Sequence, residues 1–364
     1  MKGNRKNGYK ELWFLNCWGF RNWWKQSPAM YASYTAAAVL GAVLPYTGIW
    51  FSARIIDELA GARSTERLFR YVLTLLLVSA AVSFLKAAAE RWKQVVQAEL
   101  VIQETMMYAR KDLSMDFSSI DISETHDLRA QIEQNRNWRN LGLKEISDNF
   151  DELVTALMQI LGALVLTVSL FTRKLPASAG RLTILNHPAF GLGFLAFMLI
   201  VLLTSTLLEH RAEAYVTKCA KDARKGNRYF SAFGCLAMEK KYAMDIRLYR
   251  QDYFSEKYMK ADKSFMPGGK MARYARGSMG FLVAASTAVF YIFIAAVYLF
   301  VCMKAYGGAF GVGSVTQYIS AVTAMASGVS GLILAIGHLQ INVPFLKLCY
   351  EYMHIPNEMY QGSL

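Results

Sequence analysis

The chain has 364 residues, 54% of them hydrophobic, with positive mean hydropathy and a formal net charge of +13. Its apolar runs are too long to be hidden in a soluble core of this size, which excludes an ordinary water-soluble globular protein. The basic excess is spread through segments that flank those runs, as membrane topology requires, so it does not point to nucleic acid. The 5 cysteines (Cys17, Cys219, Cys235, Cys302 and Cys349) form no CxxC pair, and His126, His187 and His354 have no metal-ligand spacing. Neither structural disulfides nor a metal site is expected.

Residues 1–26 are basic and then apolar, like a signal peptide. However, Asn16 interrupts the apolar piece, Arg21 closes it, and no small-residue cleavage site follows. Trp13, Trp18, Trp23 and Trp24 cluster here, and tryptophan favours the headgroup region, so the segment reads as a helix lying on the inner leaflet.

The stretches free of Asp, Glu, Lys and Arg run over 26–53, 71–85, 153–172, 182–208, 277–303 and 305–346. Five of these reach the roughly 20 residues that a spanning helix needs. The window 71–85 is short, but Arg70 and Lys86 at its ends can snorkel to the interfaces. Six spans follow, within 27–346, giving an all-α membrane protein. Pro45 falls inside the first span, where it can kink the helix. The last window should hold a Gly-rich turn, 307–313, then one helix from about Ser314 to Pro344.

Between the spans lie two long polar stretches, 86–152 and 209–276, of 67 and 68 residues. Neither has linker composition, and Val95, Val96, Leu100, Met106 and Met107 continue the second span as an amphipathic helix. If each stretch is a pair of antiparallel helices of about 30 residues, it reaches on the order of 40 Å from the membrane. Basic residues resist translocation. Of the 40 Lys and Arg residues, 32 lie on the side that holds the two termini and these stretches, which places that side in the cytosol.

At the far end of the first stretch, Ser123 stands before a helix that its hydroxyl would cap, with Glu124 and Asp127 near the positive end of the dipole and His126 between them. In the second, Ala243, Ile246 and Tyr249 share a helical face beside Met244 and Leu248. Such faces either close a hairpin on itself or seat on a partner. The run Ala243, Met244, Asp245, Ile246, Arg247, Leu248, Tyr249, set in this order of segments, resembles the transmembrane domain of a type-1 exporter of the ATP-binding cassette (ABC) class. The family's tip often reads Ala-Lys-Glu-Ile-Arg-Leu-Phe/Tyr, so Met244 and Asp245 depart from it.

The resemblance implies that Ser123, Glu124, His126 and Asp127, together with Ala243, Asp245, Ile246, Arg247, Leu248 and Tyr249, couple to ATP-binding domains. It implies a second transmembrane subunit, identical or not, in the cell membrane, and ATP with Mg²⁺ on the partner domain, with no cofactor on this chain. Motion of the stalks would switch the spans between inward-facing and outward-facing states.

No phosphate-binding loop is present. Gly308 and Gly313 have the glycine spacing, but Ser314 and Val315 stand where Lys and Ser/Thr belong. Gly191, Gly193 and Ala196 imitate a dinucleotide fingerprint inside an apolar span, where helix packing accounts for them. Residues 347–364, with Pro356, resemble the connector toward an ATP-binding domain that is absent here or carried on another chain.

Small residues at Ser79, Ser83, Ala87 and at Ser327, Gly331, Ala335 predict close helix seams. His338 and Asn342 would either line a substrate path or hydrogen-bond a neighbouring helix, and Tyr34, Tyr46, Trp50, Tyr291 and Tyr298 would either contact a hydrophobic cargo or serve as core or interfacial anchors. A membrane scaffold that holds a soluble partner without transport is the alternative function. A secondary carrier would need midplane charges, which the windows lack.

Overall fold

The computed structural model describes residues 4–61, 63–261 and 267–357. The described residues are 90% helical and hold no strand. The helices are α1 (Asn4–Gln26), α2 (Pro28–Ala60), α3 (Thr65–Ser114), α4 (Phe117–Ile120), α5 (Ser123–Arg139) and α6 (Leu143–Thr172), then α7 (Pro188–Met238), α8 (Ala243–Leu248), α9 (Gln251–Ala261), α10 (Lys270–Arg276), α11 (Ser278–Tyr306) and α12 (Val312–Met353). Among these, six are long and apolar enough to cross a bilayer: α2, α3, α6, α7, α11 with its short leader α10, and α12. The chain is therefore an all-α, multi-pass membrane protein by length and composition. Short 3₁₀ turns at Ala177–Asn186 and Lys240–Tyr242 complete the path.

Two compact units emerge, 1–199 with 293–364, and 200–292. In the first, α2, α3, α6 and α12 pack together, most extensively α6 on α12. Small residues let those backbones approach: a Cβ at Gly328 would stand 3.0 Å from the Ala156 carbonyl, and one at Gly331 3.6 Å from the Ala156 Cβ. Ala335 is fully buried and its carbonyl accepts a 2.7 Å bond from Asn149 Nδ2. The seam predicted on Gly331 and Ala335 is thus the α6–α12 contact. Of the second stripe, on α3, Ser79 is partly buried, whereas Ser83 and Ala87 are exposed and form no such seam among the described residues.

Helix α12 begins at Val312, two residues before the expected start, and its first turn is capped from another helix. Asp57 Oδ1 of α2 accepts the Gly313 N–H at 2.8 Å, placing a carboxylate at the positive end of the α12 dipole. This docking requires glycine, since a Cβ at Gly313 would lie 2.0 Å from the Ala53 carbonyl. The helix then passes through Pro344 and ends at Met353, beyond the expected stop. Tertiary contacts in the next turns, where Leu346, Cys349 and Tyr352 are buried, outweigh the one hydrogen bond that proline removes. Helix α2 likewise runs through Pro45.

Near the other end of α11, Lys304 is buried and donates to the carbonyls of Leu170 (2.8 Å) and Arg173 (3.0 Å), at the C-terminus of α6. An ammonium there satisfies orphan carbonyls and opposes the negative dipole end. One turn earlier, Phe300 stacks on Phe194 with ring centroids 4.2 Å apart.

In the second unit, Ser205 and Ser286 exchange hydroxyl-to-carbonyl bonds of 3.0 Å in both directions, tying α7 to α11 without any charge. Such reciprocal serine pairs hold helices together in lipid, where a lone hydroxyl would find no water. The α10–α11 break falls at Gly277, whose N–H bonds the Arg273 carbonyl at 2.9 Å.

Candidate functional site

The first polar stretch is not the simple two-helix hairpin expected. Its outgoing leg is the second half of α3. Its return leg, α5, stops at Arg139, and residues 140–142 break the helix before α6 begins. Asn140 takes a left-handed φ of 56° and Gly142 a φ of 105°. The break is clamped from α12: Asn342 Oδ1 accepts the Gly142 N–H at 2.8 Å, and Asn342 Nδ2 donates to the Gly142 carbonyl at 2.9 Å. The hydrogen bond to a neighbouring segment, one of the two roles weighed for Asn342, is thus the one present, and the side chain is fully buried. Trp23 of α1, also fully buried, adds a 2.7 Å bond from Nε1 to the Leu143 carbonyl.

Around this clamp lies a core in which Leu15 and Trp23 (α1), Met107 and Tyr108 (α3), Ile132 (α5), Ile146 (α6) and Tyr352 (α12) are buried together. The N-terminal helix, the first polar stretch and the end of α12 therefore share one end of the first unit. The C-terminal segment stays with them: Lys111 Nζ donates to the Ile355 carbonyl at 2.6 Å, and Asn357 Nδ2 donates to the Ser114 carbonyl at 2.6 Å. Residues 358–364 of the expected connector lie outside the described residues. Trp13 and Trp24 face away from the core, 71% and 60% exposed, which suits an interfacial helix.

At the far end of the stretch, α5 does begin at Ser123, but the capping position is Ile122 and no side chain caps it. The expected Ser123 N-cap is corrected accordingly: the serine is already the first helical residue, one place too late to turn its hydroxyl back on the first turn. The helix runs for 17 residues, and Leu128 and Ile132 carry its apolar face onto the core. Ser123, Glu124, His126 and Asp127 are all exposed, next to exposed Leu113, Phe117 and Ile122.

In the second stretch, helix α8 covers Ala243–Leu248, six residues of the heptapeptide run, with Tyr249 just beyond its end. None of its residues is buried. Met244, Leu248 and Tyr249 are 78%, 74% and 63% exposed, and only Ile246 is partly covered. Asp245 and Arg247 are exposed as well. Beside the helix, Arg250 Nε pairs with Asp252 at 3.2 Å, and that guanidinium holds the Asp252 carboxyl below its usual range. Side chains of 216–237 lie outside the described ones.

In the first unit, α2, α3, α6 and α12 line an open cavity of about 450 Å³ where the apolar window of α3 gives way to its polar stretch. Its wall carries Lys86, Glu90 and Lys93 from α3, Gln159 from α6 and Ser327 from α12. Lys93 is committed to Asp151, whose two carboxylate oxygens lie at 2.7 and 2.8 Å. Tyr46 closes one side, its hydroxyl donating to the Gln159 carbonyl at 2.6 Å and its ring filling the space over Gly162, where a Cβ would sit 2.1 Å away. Of the path candidates named from sequence, Tyr46 lines this cavity, and His338, Asn342, Tyr34, Trp50, Tyr291 and Tyr298 do not. His338 pairs with Glu152 at 3.0 Å, while Tyr291 and Tyr298 are 65% and 50% exposed. The missed residues did carry a signal, because Lys86, Glu90 and Lys93 follow an i, i+4, i+7 spacing that puts three charges on one face as α3 leaves its apolar window.

No protein-family model and no curated protein matches this sequence.

Proposed function

We propose that this chain is the membrane-spanning part of an ATP-driven exporter of the type-1 ABC kind. The observation that carries the reading is the second tip: a six-residue helix in a long polar stretch that holds Met244, Leu248 and Tyr249 out in solvent, with no described side chain over them. Exposed apolar groups at the end of a charged stalk have a cost unless a partner covers them. The resemblance of Ala243 to Tyr249 to an exporter coupling helix names that partner as an ATP-binding cassette domain. The first tip, with Leu113, Phe117 and Ile122 beside Ser123, Glu124, His126 and Asp127, is the second seat.

On this reading the basic side faces the cytosol, both termini lie there, and a second transmembrane subunit completes the path in the cell membrane. ATP and Mg²⁺ bind the partner domain, whose closure moves the two stalks. A scaffold would use the same tips, but it has no use for a charged cavity of about 450 Å³ among its spanning helices.

The test is assembly in nanodiscs with purified ATP-binding cassette proteins. Leu248→Asp or Arg247→Glu is expected to weaken assembly by at least about tenfold, the equivalent of ~1.4 kcal/mol. ATP turnover in the complex should rise with transported substrate. Unchanged assembly in both variants overturns the coupling role, and turnover blind to every substrate would favour the scaffold.

A further inference from the structure

We infer that the cavity walled by Lys86, Glu90 and Lys93 binds a small zwitterion, a molecule that carries an ammonium and an anionic group close together on a neutral body. As a cargo site it rests on the exporter reading, whereas as a binding site it stands on the cavity alone.

The argument is one of charge accounting. Of the three charged side chains, Lys93 is neutralised by Asp151 and lies over the Tyr34 ring, 5.3 Å from its centroid. Lys86 and Glu90 have no ion pair or hydrogen bond among the described residues. They stand one turn apart on α3 and are half-buried, yet they do not bridge each other. The order matters, because a lysine that precedes a glutamate by four residues is the less favourable arrangement for an intrahelical pair. The wall therefore offers one unspent positive and one unspent negative charge, side by side and partly out of water.

A ligand with one charge leaves the opposite wall charge uncompensated in a partly desolvated site, which costs affinity. A zwitterion satisfies both. Size and lining agree: about 450 Å³ falls in the range of small-molecule sites, and Ala37, Ala38, Gly41 and Ala42 leave room where larger residues would fill it. Gly41 lies beside Lys86, so the charged end is at that level. The amide of Gln159 and the hydroxyl of Ser327 offer neutral hydrogen-bonding groups for the body of the ligand.

Binding is measured on the whole chain in nanodiscs, without ATP or any partner, by calorimetry. The probes are an apolar dipeptide, a zwitterionic lysophospholipid, an alkylammonium and an alkylcarboxylate of matched size. The dipeptide or the lysophospholipid should bind about tenfold to a hundredfold tighter than either singly charged probe, and the better of the two identifies the source of the zwitterion. Glu90→Gln should move the preference to the carboxylate and Lys86→Gln to the ammonium. A purely structural role would not produce that inversion.

Ser327→Phe, which fills the cavity and leaves both charges in place, should abolish binding, and it serves if a charge variant fails to fold. Equal binding of all four probes, no binding at all, or a preference that neither charge variant moves overturns the inference. Loss of tip assembly with the preference intact would instead fault the exporter reading and leave this site standing.

Discussion

The two polar stretches are almost the same length, 67 and 68 residues, and both are helical, yet they are held in different ways. The first is locked into a core, where Asn342 and Trp23 bond the backbone of its return leg and α5 buries Ile132. The second carries α8 in its middle, and none of that helix's residues is buried. Similar composition produces helices in both places, because propensity and periodicity are local. What differs, among the described residues, is that the core covers the apolar face of α5 and nothing buries α8. Where the face is covered, the stretch is part of the scaffold. Where it is not, the apolar side chains are left for something else.

The largest expected effect tests the first half of that contrast. Asn342→Leu leaves the buried N–H and C=O of Gly142 without partners, at about 1–3 kcal/mol each, so thermal unfolding in detergent should show a loss of roughly 2–6 kcal/mol. Protease susceptibility at residues 140–142 should rise with it. An unaffected melting curve would mean that the clamp is not what holds the return leg.

Next comes the glycine contact between α2 and α12, which extends the contrast to the rest of the first unit. Gly313→Ala drives a methyl against the Ala53 carbonyl and is expected to cost about 1–3 kcal/mol, seen in the same melts. Trp23→Phe removes the donor to the Leu143 carbonyl and should cost about 1–2 kcal/mol, together with part of the attachment of α1.

The second half predicts near silence. Met244→Ala with Leu248→Ala should change stability by no more than about 0.5 kcal/mol, since neither side chain is covered, while partner assembly falls. A destabilised double variant would show that α8 has a hidden role in the fold. Smallest of all is the Arg250–Asp252 pair. A depressed carboxyl pKa contributes stability above the unfolded value of about 3.9, and that contribution disappears as pH falls through the folded value. The Asp252 carbon shift should therefore titrate below the usual carboxylate midpoint and return toward it in Arg250→Gln.

Much of this was readable from residue order. Six apolar windows became six long helices, and the seam at Gly331 and Ala335 was found. Each of these depends on a pattern within one segment. The Ser123 cap failed because a helix start can move by one residue when tertiary packing extends the apolar face. The pairing of Asn342 with Gly142 spans 200 residues, and no local pattern announces it.

Composition and periodicity settle that the chain is helical and made for a bilayer, since burying apolar length and satisfying backbone hydrogen bonds leave few other solutions. Charge accounting is a different matter. That Lys93 is neutralised while Lys86 and Glu90 face an open cavity depends on where Asp151, Gly41 and Ser327 arrive from other helices, and only packing in three dimensions brings them there.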